Sequence, residues 1–407
     1  MDIIRRNQAF LTEQEKKDYV VAALALKQVP QNQQGYDWFI QQHAAIQYYA
    51  HMGPSFLPWH RYFLFLFEQA LRKLSPNVTV PYWDWTVDRS PDASPWTEVF
   101  LGGDGQVGPD GPGEVTTGSF AYRKGNWRCV GPNLPVRYLT RNFGPPSGGA
   151  GLPTAADVEF CMGLSTYDQP PWNESSSGFR PSVEGWVPAA TAPNMHNRVH
   201  TWVGGNMTVL SSPNDPVFFL HHANLDRLWS DWQDGHPDGY QPKSGGPAGQ
   251  NQGDVMYPWV SPGVTIASVL DRSRLGGGYL YDTQKPTARG SAMLPGDVLH
   301  KGDSIWDPTR SYQLSFQTDG NVVLYRNSDR QSMWTTWTDH TNADLFIMEM
   351  NGDLAVHAGT QTLWSSRTSG HPGSRLHLQA QGNAQVTSMD GSIIWDSAKV
   401  SATARAA

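Results

Sequence analysis

Histidine placement constrains this 407-residue chain more than any other feature of its sequence. The chain has 13 histidines, and six of them form two groups of three in segments whose apolar periodicity predicts helices. His196 and His200 lie four residues apart, which puts both imidazoles on one face of a helix. A single histidine is most often a core residue satisfied by one hydrogen bond, whereas six at such intervals predict a metal site. The two groups are His43, His51 and His60, and His196, His200 and His222.

Two of these histidines lie on apolar helical stripes. His60 shares its stripe with Phe67, and His222 shares its stripe with Leu225, so both rings should point into the core. Neutral imidazole binds Zn, Cu, Fe or Ni, and ligand softness does not choose among these metals. His221 precedes His222 on the same helix, and neighbouring helical residues point about 100° apart. We therefore expect His221 to support the site without binding the metal.

The segments around these histidines resemble the tyrosinase family of type 3 copper proteins, and they are most similar to its bacterial members. The run NDPVFFLHH at 214–222 carries the most specific part of this resemblance, which extends over residues 1–285. The resemblance implies a mainly α domain with a four-helix-bundle core that holds two copper ions. It assigns one copper to the group that starts at His43 and the other to the group that starts at His196.

The same resemblance implies an enzyme that oxidises monophenols and o-diphenols to o-quinones with O2. Removal of a phenolic proton requires a base or a base-activated water. Glu184 and Asn197 match the pair of residues that holds such a water in the family. A narrower alternative is an oxidase of o-aminophenols or catechols without activity on monophenols. An oxygen carrier, a carbohydrate-binding protein with an inactive helical half, and a zinc hydrolase are the alternatives from other classes.

After residue 290 the sequence changes to short alternating strands separated by turn residues, and an internal repeat marks the period. Trp334, Trp364 and Trp395 lie 30 and 31 residues apart, each after a strand-turn-strand pattern. Three similar β units are therefore predicted.

The first β unit contains four polar residues that the two-residue period of a strand places on one face: Gln317, Asp319, Asn321 and Tyr325. Their spacing resembles the Gln-x-Asp-x-Asn-x-Val-x-Tyr sugar site of bulb-type, mannose-binding lectins, and the likeness covers 292–398. It implies an all-β, β-prism II domain and a mannose-type glycan as a partner. The second and third units depart from the pattern, so we expect their sites not to bind. An alternative role for this domain is to shield the copper site.

Charge and composition set the remaining expectations. The formal net charge of −7, without a run of Lys or Arg, argues against nucleic acid or a membrane as the main partner. The expected partners are a small phenol, O2 and a copper-delivery protein. No apolar stretch of a secretory signal is visible at the N-terminus, which favours a cytoplasmic protein or export with a helper protein. Cys129 and Cys161 are too few for a disulfide framework, and the sequence leaves open whether they are bridged.

The predicted organisation is a copper domain at 1–285, a linker at 286–291, a lectin-like domain at 292–398 and a tail at 399–407.

Overall fold

The computed structural model describes residues 3–11, 13–122, 127–132, 134, 136–144, 151–185, 194–283, 291–301, 303–307, 309 and 311–399. The chain divides into two compact units. The helical unit is Glu13–Tyr279, and the β unit combines Leu280–Ala407 with Met1–Thr12. Most of the predicted linker, 286–290, and most of the predicted tail, 400–407, lie outside the described residues, so the predicted domain bounds stay a prediction.

In the described part of the helical unit, nine α-helices surround an aromatic core. No described helix has both the length and the apolar character needed to cross a membrane. The helices are α1 Glu13–Gln28, α2 Tyr36–Ala45, α3 Gln47–Ala50, α4 Phe56–Leu74, α5 Ala155–Met162, α6 Phe179–Glu184, α7 Met195–Val203, α8 Val217–Gly235 and α9 Ile266–Leu270. The helical unit also contains a β-hairpin, formed by β2 Gly105–Gly108 and β3 Gly111–Val115.

The core of the helical unit lies where α4 packs against α8. Phe67 of α4 and Phe219 of α8 stack with ring centroids 3.5 Å apart, and both are fully buried. Phe39 of α2 joins this stack edge-on. The apolar sides of α4 and α8 carry these aromatic residues and also His60 and His222. Because the two apolar sides pack against each other, both imidazoles point into the core.

A buried ion pair fixes the start of α8. The Arg141 guanidinium donates to both carboxylate oxygens of Asp215, at 2.7 and 2.8 Å, and neither side chain is accessible to solvent. Arg141 also donates to the carbonyls of Leu101, Gly102 and Gly103. Asp215 in turn accepts a hydrogen bond from the first amide of α8, at Val217. The pair therefore joins the loop segment that contains Arg141 to the start of α8, the helix that carries His222.

The described strands of the β unit form three four-stranded antiparallel sheets, in agreement with the predicted β-prism class. The first sheet contains β7 Ser304–Trp306, β8 Tyr312–Phe316, β9 Val322–Arg326 and β10 Gln331–Thr335. The second contains β6 Val298–Leu299, β11 Leu345–Met348, β12 Leu354–Ala358 and β13 Gln361–Ser365. The third contains β5 Ala292–Met293, β14 Arg375–Leu378, β15 Ala384–Thr387 and β16 Ile393–Asp396. The remaining strands are β1 Ile3–Arg5 and β4 Tyr279–Tyr281.

Equivalent residues of the three sheets meet at the centre of the β unit. The rings of Trp334, Trp364 and Trp395 contact one another edge-to-face, with centroids 5.2 to 5.8 Å apart. This contact explains the period of 30 and 31 residues, because each repeat must deliver one indole to the same point. The three predicted β units are thus present.

Breaking the Arg141–Asp215 pair should strongly destabilise the helical unit. Asp215→Asn leaves a buried guanidinium without its counter-charge, so we expect the free energy of unfolding to fall by about 3 to 5 kcal/mol. Urea unfolding followed by circular dichroism measures this change. The control is Arg274→Ala, which removes an ion pair with Asp271 from a side chain that is 80% exposed, and it should change stability by less than about 1 kcal/mol. Equal losses in the two variants would contradict a structural role for the buried pair.

Candidate metal centre

The first histidine group is assembled from three consecutive helical segments. His43 lies in α2, His51 directly follows α3, and His60 lies in the first turns of α4. Their ring centroids are 4.9 to 5.8 Å apart, and one ring nitrogen of each lies within 4.8 Å of the others. All three side chains are buried.

The second group combines two helices. His196 and His200 lie one turn apart on α7, with ring centroids 4.3 Å apart, and α8 supplies His222. The His222 ring lies 5.1 Å from the ring of His196 and 5.8 Å from that of His200. The one-face arrangement predicted from the four-residue spacing is therefore present.

The two groups face each other. The rings of His60 and His222 stack at 4.2 Å with an angle of 10° between their planes, and the rings of His51 and His196 are 5.7 Å apart. The structure thus brings all six predicted residues into one cluster, whereas their role as metal ligands stays a prediction.

Hydrogen bonds orient five of the six imidazoles. The acceptors for Nδ1 are the backbone carbonyls of Leu210 for His43, Gln47 for His51, Phe56 for His60 and Met207 for His200, at 2.5 to 3.1 Å, and the Asn197 amide oxygen for His196, at 2.9 Å. A ring that donates from Nδ1 is the tautomer with a lone pair on Nε2. The hydrogen bonds therefore prepare the Nε2 atoms as metal ligands.

Burial keeps these imidazoles neutral. Desolvation lowers the pKa of His43 and of His200 to about 4, and it lowers the pKa of His51, His60 and His222 well below the usual value, with the neighbouring imidazoles adding to the shift. His196 shifts in the same direction for the same reasons. Since a metal binds only the unprotonated nitrogen, the cluster has the protonation state that a metal requires at neutral pH.

The donor atoms themselves fit a bound metal. Within the described residues, the buried Nε2 atoms of His43, His60, His196, His200, His221 and His222 have no hydrogen-bond partner, and neither does Nδ1 of His222. A buried polar atom without a partner is costly, and a metal ion with neutral nitrogen ligands removes that cost. Six convergent imidazoles divided between two facing groups therefore fit a pair of metal ions.

His221 lies closer to the second group than the sequence suggested. Its ring is 5.3 Å from that of His196, and one of its nitrogens lies within 4.8 Å of the other donors of that group. However, its Nδ1 lies 3.2 Å from the Trp85 indole N–H, which donates to it. A neutral ring that accepts at Nδ1 carries its proton on Nε2, so this bond favours His221 as a supporting residue.

The predicted pair Glu184 and Asn197 lies beside the facing rings of His51 and His196. Glu184 Oε1 accepts a hydrogen bond from the amide of Met52, next to His51, at 2.5 Å. Asn197 accepts from Nδ1 of His196 and donates to the carbonyl of Gly185, which follows Glu184. Each member of the pair is thus connected to one histidine group.

Gly185 permits this close approach. Its φ is 103°, a conformation that side chains rarely adopt, and a Cβ at this position would lie 3.2 Å from the Asn197 Cβ. A larger residue here would separate α6 from α7 and would move Glu184 away from Asn197.

Sequence reasoning missed the charges that surround Glu184. Arg180 lies one turn earlier on α6 and donates to Glu184 Oε2 at 3.0 Å, and it also pairs with Asp168 at 2.7 Å. All three side chains are buried, and burial raises the pKa of Asp168 to about 6 against the opposing effect of Arg180. The four-residue spacing of Arg180 and Glu184 on a helix could have predicted their ion pair. Nothing in the sequence indicates that Asp168 pairs with Arg180.

Both cysteines are free and buried. Desolvation raises the pKa of each thiol, Cys129 and Cys161, to about 12, so neither is expected to be reactive.

The predicted sugar site lies where β8 turns into β9, the two central strands of the first sheet. The prediction that one strand carries all four residues is wrong, because Gln317, Asp319 and Asn321 lie in the turn and only Tyr325 lies on β9. Gln317 donates to the hydroxyl of Tyr325 at 2.8 Å, and Asp319 accepts from the amide of Asn321 at 3.0 Å. The Asn321 amide oxygen accepts from the hydroxyl of Thr336 and the backbone N–H of Thr338. These bonds hold the four predicted residues in one region, and their binding role stays a prediction.

The equivalent positions of the other two units bond internally. In the second unit, Glu349 is buried and lies 2.9 Å from Nε2 of buried His357. In the third, Asn383 and Gln385 both donate to Asp396. The burial of both Glu349 and His357 supports the expectation that the second site does not bind sugar, whereas for the third site this stays a prediction.

Comparisons with known proteins point to one family for most of the chain. A family model described as the common central domain of tyrosinase matches residues 31–235. The tyrosinase of Streptomyces antibioticus is 44% identical over 283 residues, which cover 67% of this chain and 97% of that protein. The tyrosinase of Streptomyces glaucescens is also 44% identical, over 69% of this chain and 99% of that protein.

Two solved structures are similar to parts of the chain. A polyphenol oxidase variant from Thermothelomyces thermophila is 25% identical with a TM-score of 0.51, over 69% of this chain and 88% of that chain. The mannose-specific agglutinin of snowdrop bulbs aligns at 24% identity and a TM-score of 0.22, over 28% of this chain and 99% of that chain.

The ligand assignment predicts unequal effects for two adjacent residues. His222→Ala removes a ring of the second group whose two nitrogens are both buried without a hydrogen-bond partner, so we expect bound copper to fall from two ions per chain toward one. His221→Gln removes the ring that Trp85 supports and should retain both ions. Elemental analysis of reconstituted protein measures the ratio, with unfolding temperature as a check on folding. Copper loss in His221→Gln equal to that in His222→Ala would place His221 among the ligands.

Proposed function

This chain belongs to the tyrosinase family, and on that premise we propose that its six clustered histidines are the ligands of two copper ions. The enzyme oxidises monophenols and o-diphenols to o-quinones with O2 in a copper-dependent reaction. The observation that carries the assignment is the convergence of buried Nε2 atoms, without hydrogen-bond partners among the described residues, from two facing groups. One group, His43, His51 and His60, holds the first ion, and the other, His196, His200 and His222, holds the second.

The protein and the metals contribute different chemistry. When bound, the copper pair supplies the site at which O2 is reduced and electrons are taken from the phenol. The six imidazoles are neutral ligands, so they leave the metals' positive charge uncompensated and keep the site electrophilic. Aromatic neighbours such as Phe56 and Phe218 surround the rings and exclude water from them.

Glu184 and Asn197 receive the phenolic proton in this proposal. A monophenol must lose its proton before its oxygen can bind a metal, and this loss requires a base within hydrogen-bond reach, directly or through one water. We assign to Glu184 the base function through a water that Asn197 also holds. The support is their placement: Glu184 is bonded beside His51 and Asn197 is bonded to His196.

Arg180 positions Glu184. Its guanidinium stabilises the carboxylate form and limits the rotation of the side chain, while the amide of Met52 holds the other oxygen. Asp168 also pairs with the Arg180 guanidinium, at a different nitrogen from the one that bonds to Glu184. The buried carboxyl group of Glu184 is thus paired with a cation and is not an isolated charge in the core.

For the β unit, we propose that Gln317, Asp319, Asn321 and Tyr325 bind a mannose-type sugar. The support is their arrangement at the β8–β9 turn, where the Gln317–Tyr325 hydrogen bond and the Thr336 and Thr338 contacts of Asn321 orient the polar atoms before a ligand arrives. A copper-delivery protein stays a predicted partner of the helical unit.

The base assignment predicts a selective loss of monophenol oxidation. Glu184→Gln removes the base and Asn197→Ala removes the second water contact, so each should lower kcat on monophenols by about 10²-fold or more. Oxidation of o-diphenols, which lose their protons more readily, should fall much less. The measurement is kcat and KM for a matched monophenol and o-diphenol, with copper content determined for each variant.

Thr201→Ala is the matched control, because Thr201 is exposed on α7 and donates only to the Asn197 backbone carbonyl among described contacts. It should preserve the ratio of the two activities. Equal loss of both activities in Glu184→Gln, at full copper content, would refute the base function.

The sugar assignment is tested by a single pair of variants. Gln317→Ala should abolish measurable binding of methyl α-mannoside to the full-length protein, because it removes both a ligand contact and the bond to Tyr325. Gln379→Ala removes the same residue type from the equivalent position of the third unit and should leave the affinity unchanged. Calorimetric titration measures both. Similar affinities for the two variants would contradict the assignment.

A further inference from the structure

A groove continues beyond the proposed sugar site along the first sheet. It has a volume of about 620 Å³, within the roughly 300 to 1,000 Å³ typical of sites for drug-sized ligands. Gln317 and Tyr325 line one part of it. The rest is lined by Trp306, Gln313, Ser315, Asn327 and Arg330. Residues with no part in the proposed mannose contacts therefore form most of its wall.

Strand register explains why these side chains share a face. Gln313 on β8 pairs with Trp306 on β7 and with Tyr325 on β9, so the three form one row across the sheet. Gln313 and Ser315 alternate along β8, which places them on the same side, and Gln317 directly follows the strand and lines the same groove. The row thus leads from the Tyr325 hydroxyl to the Trp306 indole.

The polar part of this face is already ordered by hydrogen bonds. The Ser315 hydroxyl lies 2.8 Å from that of Ser304, and Gln313 donates to Ser304 at 2.9 Å. Fixed amide and hydroxyl groups bind sugar hydroxyls with less loss of side-chain entropy than mobile ones.

Trp306 is the unusual residue of the groove. Its side chain is 38% exposed, although an indole of this size normally contributes to a core. An exposed aromatic face beside fixed polar groups suits the C–H face of a pyranose ring, which packs on the ring while its hydroxyls reach the polar neighbours. Within the β unit, three other tryptophans fill the centre, so Trp306 is not required there.

The internal repeat offers a comparison within the same chain. Four and two residues before Glu349, the second unit has Leu345 and Ile347 where the first has Gln313 and Ser315. Both are fully buried in an apolar cluster. The same face of the fold is therefore apolar and covered in the second unit, whereas the third unit has the polar residues Arg375 and His377 at these positions.

Arg330 adds donors at the far rim of the groove. It is exposed in the turn between β9 and β10, while its neighbour Asp329 is paired with Arg326 at 2.6 Å. The guanidinium can donate to a hydroxyl or to a carboxylate.

From these contacts we infer that the groove binds a glycan of at least two residues, and this inference rests on the proposed sugar site. The first residue occupies the site at Gln317 and Tyr325. The second stacks on Trp306, with hydrogen bonds to Gln313, Ser315 and Asn327. An oxygen substituent of this second residue, a hydroxyl or a carboxylate, meets Arg330.

Calorimetric titration of the full-length, copper-loaded protein tests the inference with three probes: methyl α-mannoside, an α-linked mannose disaccharide, and a disaccharide of mannose and a uronic acid. We expect at least one disaccharide to bind about tenfold more tightly than the monosaccharide, from one aromatic contact and a few hydrogen bonds. Trp306→Ala should reduce this ratio to near one, and Trp306→Phe should retain part of it. Ile393→Ala, which truncates an exposed apolar residue on the third sheet, should keep the ratio.

The outcomes separate the inference from the proposed sugar site. Monosaccharide binding with equal affinity for both disaccharides, or a ratio unchanged in Trp306→Ala, overturns the extended site alone. No binding of any probe overturns both. Tighter binding of the acidic disaccharide that is lost in Arg330→Gln supports a carboxylate at the rim, and a preference for the neutral disaccharide supports a hydroxyl there.

Discussion

Burial of six neutral imidazoles in one cluster is the constraint on which the helical unit depends. Five of the six rings have an acceptor for an Nδ1 proton, and four of these acceptors are backbone carbonyls. Two of them, at Met207 and Leu210, belong to a loop after α7. That loop must itself be held, and the Asn206 side chain does so by accepting hydrogen bonds from the backbone and hydroxyl of Thr140. Ligand orientation thus depends on contacts well outside the cluster.

Buried ion pairs connect the helices that carry the histidines. Arg61 follows His60 on α4 and donates to Asp226, which lies one turn after His222 on α8, at 2.6 Å. The charge of each member costs desolvation energy, so such a pair is weak evidence for net stability. The pair does fix the distance between α4 and α8, and this distance sets the separation of the two histidine groups. The Arg180 pair acts similarly on the position of Glu184.

Local patterns determined how much could be predicted from the sequence. The six histidines, the α7 face shared by His196 and His200, and the three β repeats all follow from spacing, because helical and strand periods convert sequence intervals into directions. Spacing does not show that the helix from Tyr36 breaks at Ile46, whose ψ of 23° with φ of −124° leaves the helical region. The contribution of Asp168, the Trp85 bond to His221 and the approach of Gly185 to Asn197 join residues distant in sequence or depend on one backbone conformation. No periodicity encodes such contacts.

Asn321 of the β unit has a hydrogen-bonding role that the equivalent residues of the other two repeats share. Its amide oxygen is held by threonines after β10, as Asp353 is held by Ser366 and Thr368 in the second unit. In the third unit Asn383 is bonded to Asp396. A polar anchor at this position therefore persists where the residues two and four places away have diverged. Recognition chemistry can accordingly change in one repeat while the architecture of all three is preserved, which makes this domain a modular scaffold for acquiring new specificities.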